Sequence, residues 1–307
     1  MTENMVTDRR DFLAMLSAAG IAGLGPAQSF AQEQMPSRAI PSTGEMLPVV
    51  GLGSSKVVSQ ISSSGPEALA AVLRALVANG GAVVDTWPRN PENDAGFGQV
   101  TSELDLRDSL FVTTKIDQIG KAAGIAQFRQ TQQLYNRETV DLAQIFSLID
   151  LDVQWPNLKD WKADGHARYI GVTVSQYDLY EQLEDFLRRE TPDFVQMNYS
   201  ITERRAEERL LPMAADMGLA VLINRPFMNG AYFGRLEGQP VPAWAAEFDC
   251  TSWAQFSLKY ILAHPTITCV LTETSNPRHM VENAQTAYGR LPDIAERARM
   301  RALIDEV

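Results

Sequence analysis

Cysteine is scarce in this chain, with Cys250 and Cys269 making up the whole supply. Neither belongs to a CxxC pair or has a histidine at metal-ligand spacing, so zinc-site spacing is absent and no structural metal is expected. Cys269 lies in the apolar run TITCVLT and reads as a buried strand residue, which counts against a disulfide with Cys250. Histidine is equally sparse: His166, His264 and His279 are scattered, and the first two read as loop residues. Basic charge is short as well. The 27 Lys and Arg residues face 38 Asp and Glu, the net charge is -11, and no basic run interleaves with aromatics. That balance argues against nucleic acid and anionic membrane as partners. No repeat of about 20 to 50 residues is visible, which disfavours a solenoid. What the chain does have is apolar side chain, 45% hydrophobic against 21% charged, enough for the core of one barrel-sized domain.

The first residues follow a different plan from the rest. Arg9 and Arg10 stand directly before an apolar segment from Phe12 to Leu24, and small residues follow at Ser29 and Ala31. A basic pair, a short apolar run and a small-x-small site form the order of an export signal, and the run is too short to span a bilayer comfortably. The arrangement resembles bacterial twin-arginine signals. The resemblance implies the twin-arginine export machinery as a partner, a route for proteins already folded, and a periplasmic or otherwise exported destination. Residues 1–35 are thus expected to be leader and linker, with the polar string QEQMPSR at 32–38 spanning the join. Residues 36–307 are expected to be the domain, with no stable membrane span in the mature protein.

Beyond the leader, short runs rich in Val, Ile and Leu alternate with helix-like stretches, the pattern of a parallel sheet buried on both faces. They are LPVVGLG ending at Gly53, AVVDT at Thr86, LFVTTK at Lys115, VDLAQIFSL at Leu148, YIGVTV at Val174, DFVQMNYS at Ser200, AVLINRPF at Phe227 and TCVLTETS at Ser275. Between the first two, Leu69, Val72, Leu73, Leu76 and Val77 share one helical face, and Gly80 and Gly81 stop that helix. The fold class predicted is α/β, a (β/α)8 TIM barrel. In such a barrel the strand tips face the functional mouth. That nominates Ser54, Asp85, Lys115, Phe146, Thr173, Gln196, Arg225 and Ser275. Asp85 and Lys115 each end an apolar run, so pairing across neighbouring strands would relieve the burial cost of both charges. A structural ion pair and a tuned proton-transfer site fit that burial equally well.

Several strings resemble the aldo/keto reductase family, particularly its exported bacterial branch: AIPSTGEMLPVVGLGSS for an N-terminal β-hairpin and first strand, DLAQIFSLIDLDVQWPNLKDWKADGHARYIGVT, DFVQMNYSITERRAEERLLPMAADMGLAVLINRPF, and TSNPRHMVEN. The resemblance implies a nicotinamide dinucleotide, NADP or NAD, bound extended at the barrel mouth, and hydride exchange with a small-molecule carbonyl or alcohol. It also implies a catalytic tetrad of aspartate, tyrosine, lysine and histidine. Asp85 and Lys115 occupy the aspartate and lysine slots. The tyrosine slot holds Asn90 and the histidine slot holds Phe146; no tyrosine lies between Asp85 and Tyr135, and no histidine precedes His166. An amide supplies no proton at neutral pH, whereas general acid catalysis commonly contributes about 10²- to 10⁴-fold. Asn90 and Arg89 can still polarise a carbonyl with water as proton source.

On the cofactor side, the resemblance assigns Ser54, Thr173, Gln196, Asn224, Arg225 and Phe227 to the mouth. Thr173 and Gln196 hold the carboxamide, and Arg225 reaches toward pyrophosphate. Val174 stands where asparagine is frequent, and Asn224 where many members stack an aromatic on the nicotinamide. Glu273, Ser275, Arg278, Glu282 and Asn283 match positions near the adenosine end, which His279 also approaches. A carboxylate at Glu273 repels a 2′-phosphate and favours NAD, whereas the Arg278 guanidinium favours the phosphate and NADP. Two function classes follow: a nicotinamide-dependent oxidoreductase with a depleted tetrad, or a catalytically silent exported barrel that binds a ligand or partner, its mouth lined by Phe146 and Trp87. A hydrolase needs two facing carboxylates, for which only Asp85 and Glu273 qualify. The mixed-charge strings ITERRAEER and ERARMRALIDEV are expected to be solvated helix faces.

Overall fold

All eight apolar runs are parallel strands of one closed barrel. The computed structural model describes residues 34–53, 55–88 and 90–307, so residues 1–33 of the expected leader and linker, Ser54 and Arg89 lie outside the described residues. A short antiparallel hairpin, β1 (Ser37–Ala39) and β2 (Met46–Pro48), precedes the barrel. The barrel strands are β3 (Val50–Leu52), β4 (Val83–Asp85), β5 (Phe111–Ile116), β6 (Val140–Phe146), β7 (Ala167–Thr173), β8 (Phe194–Asn198), β9 (Ala220–Asn224) and β10 (Cys269–Thr272). They pair in chain order, and β10 closes the ring onto β3 with Leu271 opposite Gly51.

Burial on both strand faces explains why these runs read as continuous apolar stretches instead of alternating ones. One face of each strand packs on the surrounding helices. Val84, Val112, Ala143, Val172 and Val195 belong to the same cluster as Leu69, Leu73 and Leu76 of the helix Glu67–Ala78. The alternate residues fill the barrel interior, where Val83, Phe111, Leu142, Tyr169, Phe194, Leu222 and Cys269 form a separate cluster. Ile40 and Leu47 of the hairpin join that interior cluster, so the hairpin closes the N-terminal end of the barrel. Fully burying such a side chain is worth about 1.5 to 3 kcal/mol.

Two local expectations are corrected. Val77 does not share the buried face of its helix; it is 38% exposed, because it lies at the edge of the stripe formed by Leu69, Val72, Leu73 and Leu76 at about 100° per residue. Gly80 makes the stop with a φ of 78°. The string ITERRAEER is not a solvated helix. It carries one 3-10 turn, Arg205–Glu207, and the Glu207 carboxylate accepts from Tyr199, from Tyr260 at 3.1 Å and from Arg297 at 2.8 Å. The second mixed-charge string does form a helix, Ile294–Asp305.

Candidate active site

Asp85 is the last residue of β4 and Lys115 lies near the end of β5; both are buried, at 4% exposure each. Their register places Asp85 opposite Thr113, two residues before Lys115, so both side chains point into the barrel. The Lys115 ammonium donates to the Asp85 carboxylate at 2.5 Å and to the Thr86 carbonyl at 2.9 Å. The same carboxylate oxygen also accepts from the Thr113 hydroxyl, and the other accepts from the Gln196 amide at 3.3 Å. Asp85 therefore has donors on both oxygens, the condition for keeping a carboxylate charged away from water. The pairing read from the two apolar runs is present.

The strand tips surround a cavity of about 510 Å³. Of the residues nominated from sequence, Asp85, Lys115, Phe146, Thr173, Gln196, Asn224, Arg225, Phe227 and Glu273 line it. Their common origin is register: Phe146 opposes Thr173, and Thr173 opposes Gln196, so three successive strands aim at one space. Two surfaces differ in character. On the β4 to β6 side the Trp87 and Phe146 rings stack with centroids 4.2 Å apart at 24°. The Trp87 indole N–H donates to Asp117 at 2.9 Å, and Asp117 in turn accepts from Gln127 at 2.7 Å and Gln118 at 2.8 Å. On the β7 to β9 side the surface is amide-rich. The Asn224 amide donates to the Val174 carbonyl at 3.4 Å and Asn198 to the Ser175 carbonyl at 3.0 Å. The side-chain carbonyl oxygens of Gln196 and Asn224, which line the cavity, and of Asn198, which does not, are buried without a hydrogen-bond partner among the described residues. Buried acceptors in that condition cost about 1 to 3 kcal/mol each, and a ligand bearing N–H donors relieves the cost.

Other nominated residues fall elsewhere. Asn90 caps the helix Pro91–Glu103, its side-chain oxygen accepting from the Asn93 backbone N–H at 2.9 Å, and it is not among the cavity-lining residues. Ser275 is exposed in the loop after β10, while Arg278, Glu282 and Asn283 belong to the helix Pro277–Gln285; none of the four lines the cavity. The fully buried Tyr135 does not replace the missing tyrosine either. Its hydroxyl donates to the Thr86 hydroxyl at 3.0 Å, its ring packs on Phe97 behind the barrel wall, and burial pushes the phenol well above its ordinary value. Both cysteines are free and buried.

Sequence reasoning missed Ser175, from the loop after β7, Asn229 and Gly230, from the turn after β9, and Phe233, from the short helix Ala231–Arg235, all of which line the cavity. In the turn after β9 Arg225, Met228 and Asn229 have φ of 51°, 51° and 55°. Three non-glycine residues in the left-handed region turn the chain back over the mouth; Asn229-Gly230 was the available turn signal. Leu271 and Glu273 were separable from Thr272 by strand parity alone. A shallower groove of about 990 Å³ lies at the N-terminal ends of β5 to β7, lined by Arg107, Arg129, Glu138 and Asp164 among others. Its charges are of both signs and it is remote from the strand tips, where barrel chemistry is carried.

The profile of the aldo/keto reductase family matches residues 49–304. An aldo-keto reductase of Bacillus halodurans in its holo form superposes with a TM-score of 0.71 at 18% identity, over 88% of this chain and 96% of that one. An aldo-keto reductase of Klebsiella pneumoniae in complex with NADPH gives 0.71 at 20% identity, over 87% and 94%. These likenesses carry the fold. Among curated proteins, the NADH-specific methylglyoxal reductase of Escherichia coli is 24% identical over 174 residues, 48% of this chain. The match spans 52%, about half, of that relative.

Proposed function

The chain belongs to the aldo/keto reductase family, and on that premise we propose that it is an oxidoreductase binding a nicotinamide dinucleotide at the barrel mouth, with a carbonyl or alcohol as second substrate. The observation that carries the reading is the two buried side-chain amide oxygens of Gln196 and Asn224, which line the same cavity as the Asp85–Lys115 pair. A carboxamide has the N–H donors those acceptors need, and Thr173 and Gln196 are the residues that would hold it, with Arg225, Phe227 and Glu273 along the rim. The NADPH complex of the Klebsiella protein and the NADH specificity named for the Escherichia coli relative support a nicotinamide ligand. Bound there, the nicotinamide supplies or takes up a hydride.

The chain's own residues have a reduced task. Lys115, held by Asp85 and the Thr86 carbonyl, presents positive charge to an oxygen at the cavity floor, where low dielectric strengthens the interaction. Neither Asn90, committed to its helix cap, nor Phe146, stacked on Trp87, has a proton to give. Lys115 is assigned the charge role alone, and the proton is proposed to come from water at the open mouth, a slower route than a positioned acid. The same two observations favour a second reading, a silent barrel that binds its ligand without turnover. Residues 1–35 are proposed to address the protein to the twin-arginine route.

Fluorescence titration of the full chain with NADPH and with NADH tests the first claim; micromolar binding of one is expected. Binding of neither at millimolar concentration would remove the proposal. Given binding, ketone turnover that Lys115→Met abolishes supports the oxidoreductase, and binding without turnover supports the silent barrel.

A further inference from the structure

We infer that the Trp87–Phe146 stack is a recognition wall selecting a flat, uncharged ring on the carbonyl or alcohol substrate. The inference rests on the nicotinamide reading above and names the class of its second substrate.

Phe146 sits one layer above Gln144, which pairs in register with Lys115, and is itself opposite Thr173. An oxygen placed at the Lys115 ammonium therefore leaves its attached group beside Phe146. That ring is not free to move aside, because Trp87 backs it at 4.2 Å and is pinned through its indole N–H to Asp117. Asp117 is fixed in turn by Gln127 and Gln118. Phe233, which also lines the cavity with its ring 5.0 Å from that of Phe227, supplies a second aromatic surface. A ring entering between these surfaces finds faces and edges suited to offset or edge-on packing. A hydroxyl or carboxylate pressed against the same wall loses its water and gains no partner, so small hydrated carbonyls and anionic substrates are disfavoured. Rigid preorganisation of Trp87 also lowers the ordering cost of binding.

The test uses the full chain with saturating oxidised dinucleotide, so that a ketone binds without hydride transfer. Titration calorimetry compares acetophenone with hydroxyacetone. Acetophenone is expected to bind at least about tenfold tighter. Phe146→Leu keeps apolar volume but removes the flat face, and Trp87→Phe keeps a ring but removes the anchor to Asp117. Phe146→Leu should cut the acetophenone-over-hydroxyacetone preference about fivefold, and Trp87→Phe by less. Equal affinity for the two ketones, or an equal loss for both in Phe146→Leu, overturns the inference. If neither dinucleotide binds, the proposed function falls, and the same titrations without dinucleotide decide the wall independently: a preference that Phe146→Leu reduces sustains it, and no preference sinks it.

Discussion

At the scale of single residues, the Asp85–Lys115 pair shows how one sequence signal serves structure and chemistry together. Each charge ends an apolar run, and each side chain is about 5% exposed in the folded protein, 5% for Lys115 and 6% for Asp85. Removing one partner strands the other in a medium that cannot solvate it. Lys115→Met is therefore expected to destabilise the fold by about 3 kcal/mol, measured by urea denaturation. The double variant Lys115→Met with Asp85→Leu should recover part of that loss, since two apolar groups leave nothing unpaired. A single-variant cost below about 1 kcal/mol would contradict the burial argument. Asn90 teaches the reverse lesson. Its alignment slot suggested chemistry, yet Asn-Pro-Glu is also a helix-start signal, and the local signal prevailed because the first turn of the helix Pro91–Glu103 needs an acceptor for its backbone N–H groups. The burial of Cys269 was legible from its apolar run; that of Cys250 was not, and burial pushes its thiol up to about 12.

At the scale of elements, the C-terminal helix Ile294–Asp305 is pinned at its start by charge. Asp293 and Glu296 form a reciprocal capping box, and Arg290 grips the Glu296 carboxylate through two hydrogen bonds of 2.7 and 2.8 Å. First the Arg290 hydrogen bonds and then the Asp293 backbone N–H hold the Glu296 carboxyl down at about 2, below its ordinary 4.5. A carboxyl depressed by folding contributes stability that is complete above the unfolded value and lost as pH falls through the folded one. The thermal-stability gap between the wild type and Glu296→Gln should accordingly be constant near neutrality and shrink between pH 4.5 and 2. A gap that stays level across that window would show that the grip contributes nothing. The cap was legible as Asp293 followed three residues later by Glu296. The Glu207 network was not, because beside the nearby Tyr199 its partners Tyr260 and Arg297 lie 53 and 90 residues away and sequence spacing carries no sign of them.

At the scale of the whole molecule, the barrel was written in the recurrence of apolar runs, since a strand covered on both faces has no polar side to show. The proposed export route belongs to this scale as well, because a twin-arginine address is read on a protein that has already folded. Replacing Arg9 and Arg10 by Lys is expected to leave the protein in the cytoplasmic fraction of a bacterial host, checked by cell fractionation; unchanged export of that variant would end the proposal. The sequence by itself determined the eight strands, their order, the inward charges at the strand tips and the absence of a tyrosine and a histidine from their slots. Those are properties of local pattern and residue identity. Only the tertiary structure decided which tips share one cavity, that Asn90 stands outside it, that Trp87 and Phe146 stack into one wall, and that the short helix Ala231–Arg235 brings Phe233 to the mouth. These depend on strand stagger and on side chains far apart in the chain meeting across the barrel, where packing and desolvation choose among arrangements that local pattern leaves equal.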